Sequence, residues 1–416
     1  MTARELTRLT VEPGPDGVLA LAAELPMAIN GEGPAIAPFP AGPPDYVERI
    51  LAAVRPDDPS APLEDDDVAV VIATSGSMGE PRGVLIPGSA LIASAKATDT
   101  RLGGPSRWVM ALPAHHVAGL QVLVRAHLSG IPPIPLDSIG GAGHFSAIEF
   151  ANATRAARAI ADSDGAQLRT ALVPTQLARI VELGPQASDA LSAYDTILIG
   201  GAAAAHGLVA RATSLGARIV TTYGMTETAG GCVYDGTPLS GVAVRIVDAD
   251  DAGIGRIELA GPTVARGYRL RPDLTAASFG PGLHRTSDRG KIDKNDRLVV
   301  VGRIDDVVQV GGINVSVAAV EAAVQEHPLV AEAAVVATDD DQWGSKITAF
   351  VVANNMETIS ESTLVGSIVE RAANILGSES RPREVVVTDS LPTLPTGKID
   401  REALRREAAS RSAATS

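Results

Sequence analysis

The order of apolar and polar positions divides the chain into three stretches. Between residues 68 and 220, short apolar runs alternate with longer mixed segments, the pattern of strands and helices in an α/β protein. The first run, residues 68–73, is continuously apolar and predicts a strand covered on both faces. Further strands are predicted at residues 84–87, 107–112, 170–173, 196–199 and 217–220.

The stretch before residue 68 shows little periodicity. Residues 36–44 contain four prolines, and residues 64–67 are acidic. This composition predicts mostly loop, with one helix near residues 45–54, where acidic side chains stand in the first turn.

Beyond residue 236 the predicted strands, at residues 242–247, 255–259 and 297–301, are short, β-branched and separated by Gly, Pro and Asp. A charged break at residues 303–306 follows. The last stretch combines predicted helices at 316–326 and 361–376 with strands at 332–337 and 348–353. We therefore predict an α/β fold with a large N-terminal domain, residues 1–304, which includes a small β-rich subdomain, and a smaller α+β C-terminal domain, residues 305–416.

Composition narrows the class of partner. The 416 residues include 35 basic and 49 acidic ones, a formal charge of −14 that disfavours nucleic acids and anionic membranes as general partners. The single cysteine, Cys232, cannot form an internal disulfide, which fits a reducing compartment. We expect a cytoplasmic protein without a signal peptide or membrane span that acts on small molecules, and its oligomeric state, such as a homodimer, is left open.

The most distinctive local feature is the segment Thr74-Ser75-Gly76-Ser77-Met78-Gly79-Glu80-Pro81-Arg82-Gly83-Val84, directly after the first buried strand. Glycines allow backbone N–H groups to converge on an anion, and hydroxyls add further donors. The spacing does not match a Walker loop. The residues alone fit a phosphate-binding loop and an ordinary hairpin about equally well.

Two further segments combine polar groups suited to a nucleotide. In Tyr223-Gly224-Met225-Thr226-Glu227-Thr228, a hydroxyl that can donate to a phosphate precedes a carboxylate that can bind a hard cation, although helix capping is the commoner explanation of such a triplet taken alone. Asp288 and Arg303 stand at strand boundaries, where they are either ribose ligands or solvated turn residues.

Lys398 lies in the Pro395-Thr396-Gly397-Lys398 loop, where an ammonium is either surface charge or able to reach a distant phosphate. His115 and His116 form a histidine pair without a carboxylate or cysteine at metal spacing, so a zinc site is not expected there.

Taken in order, these segments resemble the adenylate-forming superfamily of acyl-CoA synthetases, peptide-synthetase adenylation domains and luciferases. The Tyr-Gly-x-Thr-Glu signature at 223–227, the Gly-Arg-x-Asp-Asp motif at 302–306 and Pro-x-Gly-Lys at 395–398 match in full, and the phosphate loop matches at all but two of its fixed positions. Within the superfamily, residues 172–179 and 199–203, together with the short N-terminal region, are similar to compact bacterial o-succinylbenzoate–CoA ligases of menaquinone biosynthesis.

The resemblance implies a two-step ligase: a carboxylate attacks the α-phosphate of ATP with the help of Mg²⁺, and the thiol of coenzyme A then displaces AMP. It assigns catalysis to Lys398, Thr226 and Glu227, with Glu227 as the ligand of Mg²⁺. It implies ATP contacts at Thr74, Ser75, Gly76, Ser77, Gly79, Gly200, Gly201, Ala202, Tyr223, Gly224, Thr226, Asp288, Arg303 and Lys398.

The remaining implied roles concern the acid, the thiol and domain motion. His116, Thr175 and Arg179 would meet the acyl substrate, and Gly311 and Gly312 would border the coenzyme A channel. Arg179 is our candidate partner for the second carboxylate of a dianionic acid. Asp305 would be the hinge about which the smaller, mobile domain turns, carrying Lys398 into place for one step only.

The chain departs from the superfamily pattern at several positions. Met78 stands where Thr is usual, Arg82 replaces the loop lysine, Ser287 replaces a glycine, and Gln309 replaces a lysine common after the hinge. Two alternatives therefore stay open at this point: a ligase for another aromatic or short acyl acid, and a degenerate protein that binds an adenylate without turning it over.

Overall fold

The structure is a computed structural model that describes residues 4–75, 81–140, 145–340, 343–354, 360–394 and 399–415. Its strands are β1 (Leu6–Val11), β2 (Ala35–Pro40), β3 (Val68–Ser75), β4 (Pro81–Pro87), β5 (Ser106–Met110), β6 (Ile134–Pro135), β7 (Gln167–Leu172), β8 (Thr196–Ile199), β9 (Ile219–Met225), β10 (Gly230–Tyr234), β11 (Thr237–Pro238), β12 (Ala243–Val247), β13 (Gly255–Ala260), β14 (Gly267–Tyr268), β15 (Phe279–Gly280), β16 (Leu283–Ile292), β17 (Leu298–Arg303), β18 (Val307–Val310), β19 (Ile313–Ser316), β20 (Val330–Asp340), β21 (Gly344–Ala353) and β22 (Glu384–Val387). Its helices are α1 (Pro15–Asn30), α2 (Pro44–Val54), α3 (Gly88–Leu102), α4 (Val117–Ser129), α5 (Ala147–Asp164), α6 (Pro174–Val181), α7 (Pro185–Ser192), α8 (His206–Ser214), α9 (Pro272–Ser278), α10 (Val317–Gln325), α11 (Glu361–Leu376) and α12 (Arg401–Thr415).

Two sheets form most of the large N-terminal domain. A five-stranded sheet has the order β1-β2-β3-β4-β14, and a seven-stranded sheet has the order β11-β10-β9-β8-β7-β5-β6. In the second sheet, β5 to β9 pair in parallel, so the segments that follow them meet at one edge. Leu91 of α3 and Leu123 of α4 share a buried cluster with Ile72 of β3 and Met110 of β5, so these helices fill the space between the sheets.

The prediction that residues 1–67 are mostly loop is wrong, although the helix predicted at 45–54 is confirmed as α2. This stretch also forms β1, α1 and β2. Every residue of β2 is buried, and β1 pairs with it in parallel along its whole length. The ladder between β2 and β3 is limited to one residue pair, Ile36 with Val70, which fits the missing N–H groups of Pro38 and Pro40.

The β-rich subdomain is a third sheet, which is antiparallel and has the order β12-β13-β16-β15, and β17 pairs with β16. The ten-residue strand β16 was not predicted, because its sequence, LHRTSDRGKI, is mostly polar. Its inward positions carry polar groups that find partners: the buried Thr286 hydroxyl donates to the carbonyl of Ile257 over 2.8 Å. This strand carries Asp288.

The smaller C-terminal domain packs α10, α11 and α12 on the sheet β20-β21-β22, and its core includes Val335, Ile347 and Ile368. The predicted helix at 361–376 coincides with α11, and the predicted strands at 332–337 and 348–353 lie within β20 and β21. The Ser316 side chain caps α10, accepting from the backbone N–H of Ala319 over 3.2 Å. In the part of the chain that the structure describes, no helix is long and apolar enough to cross a membrane.

Candidate active site

The Tyr-Gly-x-Thr-Glu segment is built on a strand and a tight turn. Strand β9 continues to Met225, beyond the end predicted at residue 220, so Tyr223 and Gly224 belong to the strand, and Thr226–Thr228 form a 3-10 turn. A Cβ at Gly224 would lie 2.3 Å from the carbonyl oxygen of Gly230, so only glycine fits opposite β10. The Thr228 hydroxyl accepts from the N–H of Met225 over 3.0 Å and closes the turn. The turn therefore fixes the position of the Glu227 backbone relative to the end of β9.

Three residues predicted to contact the nucleotide lie together at the junction of the seven-stranded sheet and the β-rich subdomain. The Tyr223 hydroxyl donates to Asp288 Oδ2 over 2.7 Å. Asp288 and Arg303 are register partners on β16 and β17, and Arg303 Nη1 lies 3.7 Å from Asp288 Oδ1. A half-buried carboxylate flanked by a phenol and a guanidinium is suited to binding vicinal hydroxyls.

The electrostatics of this cluster follow from burial. Burial raises the pKa of Asp288, against the opposing effects of the Tyr223 hydrogen bond and the Arg303 charge. Burial also raises the pKa of Tyr223, and the neighbouring Asp288 charge adds to that effect, so the phenol remains a donor. Burial lowers the pKa of Arg303, but its carboxylate neighbours, Asp305 first, outweigh this and raise it overall.

The segment predicted to border the adenine begins directly after β8. A Cβ at Gly200 would lie 2.2 Å from Thr222 Oγ1, so the loop can approach β9 only because this residue is glycine. Gly201 has φ of 80°, a left-handed conformation that favours glycine. The Thr222 hydroxyl donates to the carbonyl of Ile199 over 3.2 Å, and Ala202 follows in the same loop. The end of β8 and the middle of β9 are thus held in one register.

The predicted phosphate loop connects β3 and β4, which pair as an antiparallel hairpin from Ser75 opposite Pro81 to Val68 opposite Pro87. Thr74 donates to the carbonyl of Arg82 across this hairpin over 3.4 Å. Gly76, Ser77, Met78 and Gly79 lie outside the described residues, and so does Lys398.

The predicted hinge residue Asp305 lies at the border between the β-rich subdomain and the C-terminal domain. It accepts two hydrogen bonds from Arg303, from Nε over 3.2 Å and from Nη2 over 2.9 Å. Arg303 is therefore shared between Asp288 and the proposed hinge. This places the predicted ribose ligand next to the point about which the smaller domain is expected to turn.

The predicted acid-binding residues follow two neighbouring parallel strands, β5 and β7. His116 precedes α4, and Thr175 and Arg179 lie one turn apart on α6, so they share a helix face. Gln176, which the sequence analysis did not single out, ties the two segments together because its Nε2 donates to the carbonyl of Ala111 over 2.9 Å. Burial lowers the pKa of the neighbouring His115 to about 4, so that ring is neutral at physiological pH.

Arg179 also has a charged neighbour on the smaller domain. Burial raises the pKa of Glu332, which is on β20, and the Arg179 charge opposes that rise. The guanidinium predicted to meet a substrate carboxylate thus lies close enough to influence a protein carboxylate.

Gly311 and Gly312 form the two-residue turn of the β18–β19 hairpin, with φ of 59° and 84°. Positive φ at both positions is typical of the type I′ turn that favours glycine. A Cβ at Gly311 would lie 3.2 Å from the Trp343 ring, so the missing side chain allows close contact there. The role of these glycines in a coenzyme A channel stays a prediction.

Tyr268 is the second residue that the sequence analysis did not single out. Its hydroxyl donates to Glu227 Oε1 over 2.9 Å, although 41 positions separate the two residues. Glu227 is half-buried, and a single hard carboxylate of this kind suits Mg²⁺, which takes few protein ligands and completes its shell with phosphates and water. Among the described residues, no group of three or more His, Cys, Asp or Glu side chains could hold a metal ion.

Comparison with known proteins places this geometry in a family. The model of the AMP-binding enzyme family matches residues 21–269, and that of the AMP-binding enzyme C-terminal domain matches residues 319–398. This chain belongs to the AMP-binding enzyme family. The resemblance to adenylate-forming enzymes is confirmed, and so is the predicted fold of a large N-terminal and a smaller C-terminal domain.

The relatives include ligases named for the same acid, 2-succinylbenzoate. The chain is 38% identical over 398 residues to a probable 2-succinylbenzoate–CoA ligase of Mycobacterium tuberculosis, covering 95% of this chain and 96% of that protein. It is 29% identical to a 2-succinylbenzoate–CoA ligase of Listeria monocytogenes, covering 81% and 69%.

Two solved structures share the fold. The o-succinylbenzoate CoA synthetase from Bacillus subtilis, in complex with the acyl-adenylate intermediate OSB-AMP, has a TM-score of 0.72 and 23% identity, covering 97% of this chain and 89% of that one. ATP-bound MatB from Rhodopseudomonas palustris has a TM-score of 0.79 and 22% identity, covering 98% and 89%.

Proposed function

We propose that this protein is an AMP-forming 2-succinylbenzoate–CoA ligase of menaquinone biosynthesis. The observation that carries the proposal is the similarity over nearly the whole chain, at 38% identity, to the probable 2-succinylbenzoate–CoA ligase of Mycobacterium tuberculosis. The convergence of Tyr223, Asp288 and Arg303 supports the nucleotide half of the reaction independently.

The first step is attack of the acid's carboxylate oxygen on the α-phosphorus of ATP, which forms the acyl-adenylate and releases pyrophosphate. The Asp288 carboxylate accepts from the ribose hydroxyls, while Tyr223 and Arg303 hold its orientation. Thr226 donates to the α-phosphate, and Gly200 to Ala202 border the adenine. Glu227 would hold Mg²⁺, which would supply charge neutralisation on the triphosphate. Lys398 and the segment Thr74 to Gly79 complete the donor set around the phosphates.

The second step is attack of the thiolate of coenzyme A on the acyl carbon, which releases AMP. The smaller domain turns about Asp305, so that Lys398 leaves and Gly311 and Gly312 border the thiol channel. The contact between Asp305 and Arg303 couples that turn to the ribose site. The domain boundary at residues 304 and 305 is part of this proposal.

The acid site is proposed to lie between the segments that follow β5 and β7. His116 and Thr175 line it, and Arg179 pairs with the second carboxylate of the dianion. Gln176 keeps the two segments in register through its bond to Ala111. Arg179 is the specificity residue of the proposal, because a monocarboxylic acid offers it no partner.

The test is ATP–pyrophosphate exchange with a panel of acids that includes 2-succinylbenzoate, benzoate and a short aliphatic acid. We expect exchange with 2-succinylbenzoate alone. Exchange with a different acid instead would support a ligase for that acid, and no exchange with any acid would support a degenerate adenylate-binding protein; either result would overturn the proposal.

A variant tests the specificity residue. Arg179→Leu is expected to raise the KM for 2-succinylbenzoate by roughly 10- to 100-fold, the loss of one charge-assisted pair, and to leave the KM for ATP unchanged. The matched control is Arg211→Leu, on α8, which should change neither KM. An unchanged KM for the dianion in Arg179→Leu would remove Arg179 from the acid site.

A further inference from the structure

Tyr268 connects the turn that carries Glu227 to the hairpin that carries the phosphate loop. Its hydroxyl donates to Glu227 Oε1 over 2.9 Å, and the side chain is buried. On the other side, β14 pairs with β4, Gly267 opposite Leu85 and Tyr268 opposite Val84. The same residue thus contacts the turn that carries Glu227 and a strand of the hairpin that carries the predicted phosphate loop.

The segment around Tyr268 is held rigidly at both ends. The N–H of Ala265 donates to the carbonyl of Glu227 over 2.9 Å, so Glu227 is fixed through its backbone as well as its side chain. The N–H of Arg269 donates to the carbonyl of Gly83 over 2.7 Å. The fully buried Arg269 guanidinium donates to the carbonyls of Val54 and Pro62 over 3.0 and 2.6 Å. A phenol on such a segment has little freedom to follow a moving carboxylate.

The phenol also lies close to a cation of the loop hairpin. The guanidinium carbon of Arg82 is 5.7 Å from the centroid of the Tyr268 ring, and the same ring packs on Phe279 in a T-shaped arrangement, with centroids 5.2 Å apart. The Tyr268 phenol is the donor in its hydrogen bond to the Glu227 carboxylate. Arg82 is the residue that departs from the usual loop lysine.

We propose that Tyr268 is a positioning residue for the adenylation step, which fixes one rotamer of Glu227 so that its second carboxylate oxygen is preorganised for the magnesium ion of ATP. The described residues place a hydrogen bond on Oε1 and none on Oε2. Loss of an orienting bond of this kind typically lowers metal affinity by roughly 10- to 100-fold. This inference rests on the proposed function.

The test compares Tyr268→Phe with the wild type. The ring still packs on Phe279, but the carboxylate loses its donor. We expect the Mg²⁺ concentration for half-maximal thermal stabilisation by ATP to rise about 10- to 100-fold, and stabilisation by ATP in excess EDTA to stay unchanged. The rate of CoA acylation from supplied acyl-adenylate should also stay unchanged. The matched control is Tyr194→Phe, which removes a buried hydroxyl bonded to Thr154 over 2.7 Å, remote from Glu227, and should leave the Mg²⁺ requirement unaltered.

A double-mutant cycle separates positioning through Glu227 from a general loss of structure. In the Glu227→Gln background, Tyr268→Phe should have no further effect on the Mg²⁺ requirement. An equal Mg²⁺ requirement in Tyr268→Phe and wild type, or fully additive effects in the cycle, would overturn the inference. If the wild type forms no acyl-adenylate at all, the proposed function fails instead.

A probe in the otherwise native protein covers the case in which Tyr268→Phe does not fold. With 3-fluorotyrosine at position 268, we expect the ¹⁹F resonance to shift when MgATP is added and not when ATP is added with EDTA. An identical shift under both conditions would also overturn the inference.

Discussion

Asp288→Asn separates the binding role of this carboxylate from any structural one. The side chain is only 14% exposed, and it accepts from Tyr223 over 2.7 Å. Asparagine keeps the shape and an acceptor for the phenol but removes the charge. If Asp288 binds both ribose hydroxyls, each charge-assisted bond becomes a neutral one, a loss of about 1 kcal/mol per bond.

Two such bonds amount to about 2 kcal/mol, which corresponds to a rise of roughly 30-fold in the KM for ATP. The KM for the acid should not change. The assay is ATP–pyrophosphate exchange at varied ATP, and Tyr223→Phe is the companion variant, because it removes the donor that orients the carboxylate but leaves the charge in place.

Asp288→Asn should weaken ATP binding but should not lower the folding stability of the protein. Because burial raises the pKa of Asp288 in the folded state, its ionised form is disfavoured there, and this cost is present above the folded pKa and disappears below the unfolded pKa. Asp288→Asn should therefore have a Tm at or above that of the wild type at pH 7.5, with a difference that narrows as the pH falls. An unchanged KM for ATP, or a weaker ATP affinity accompanied by a lower Tm at neutral pH, would refute this reasoning.

Two further substitutions test the scaffold. Gly200→Ala places a Cβ 2.2 Å from Thr222 Oγ1 and should cost about 1–3 kcal/mol of folding stability while raising the KM for ATP. Thr222→Ala in the same chain should restore most of the stability, measured by thermal melts, and most of the KM, measured by exchange assays. A failure to restore the stability or the KM would contradict the steric explanation. Arg269→Met removes the guanidinium that pairs with Glu64 over 2.7 Å and donates to several backbone carbonyls. It should lower the free energy of unfolding in denaturant by roughly 3 kcal/mol. Arg266→Met, at an exposed ion pair with Asp67, should cost less than about 1 kcal/mol, and equal losses in the two variants would contradict the assignment by burial.

The apolar runs predicted the central elements well because a strand buried on both faces needs a continuous run of apolar residues. Strands β3 and β8 and helix α11 follow their predicted positions closely. The prediction failed where polar or proline-rich residues form strands. In β2 the prolines occupy a strand with little pairing to β3, and in β16 buried hydroxyls such as Thr286 find partners in the neighbouring strand.

The residues of the candidate site also divide into those that the sequence predicts and those that only the structure reveals. Tyr223, Asp288 and Arg303 were found through motifs, and the structure brings them together. Tyr268 and Gln176 were not found, because their importance comes from a single long-range partner, Glu227 in one case and Ala111 in the other. A contact across 41 or 65 positions leaves no local pattern in the sequence.

The formation of an acyl-adenylate is the central claim, and isotope transfer tests it most directly. With 2-succinylbenzoate labelled with ¹⁸O in its carboxylates, ATP and coenzyme A, the attacking oxygen must remain on phosphorus when the thiol displaces AMP. We predict that mass spectrometry will find one ¹⁸O atom in each AMP, together with unlabelled pyrophosphate and one equivalent of acyl-CoA. Acyl-CoA formed with unlabelled AMP, or with the label in pyrophosphate, would contradict the account.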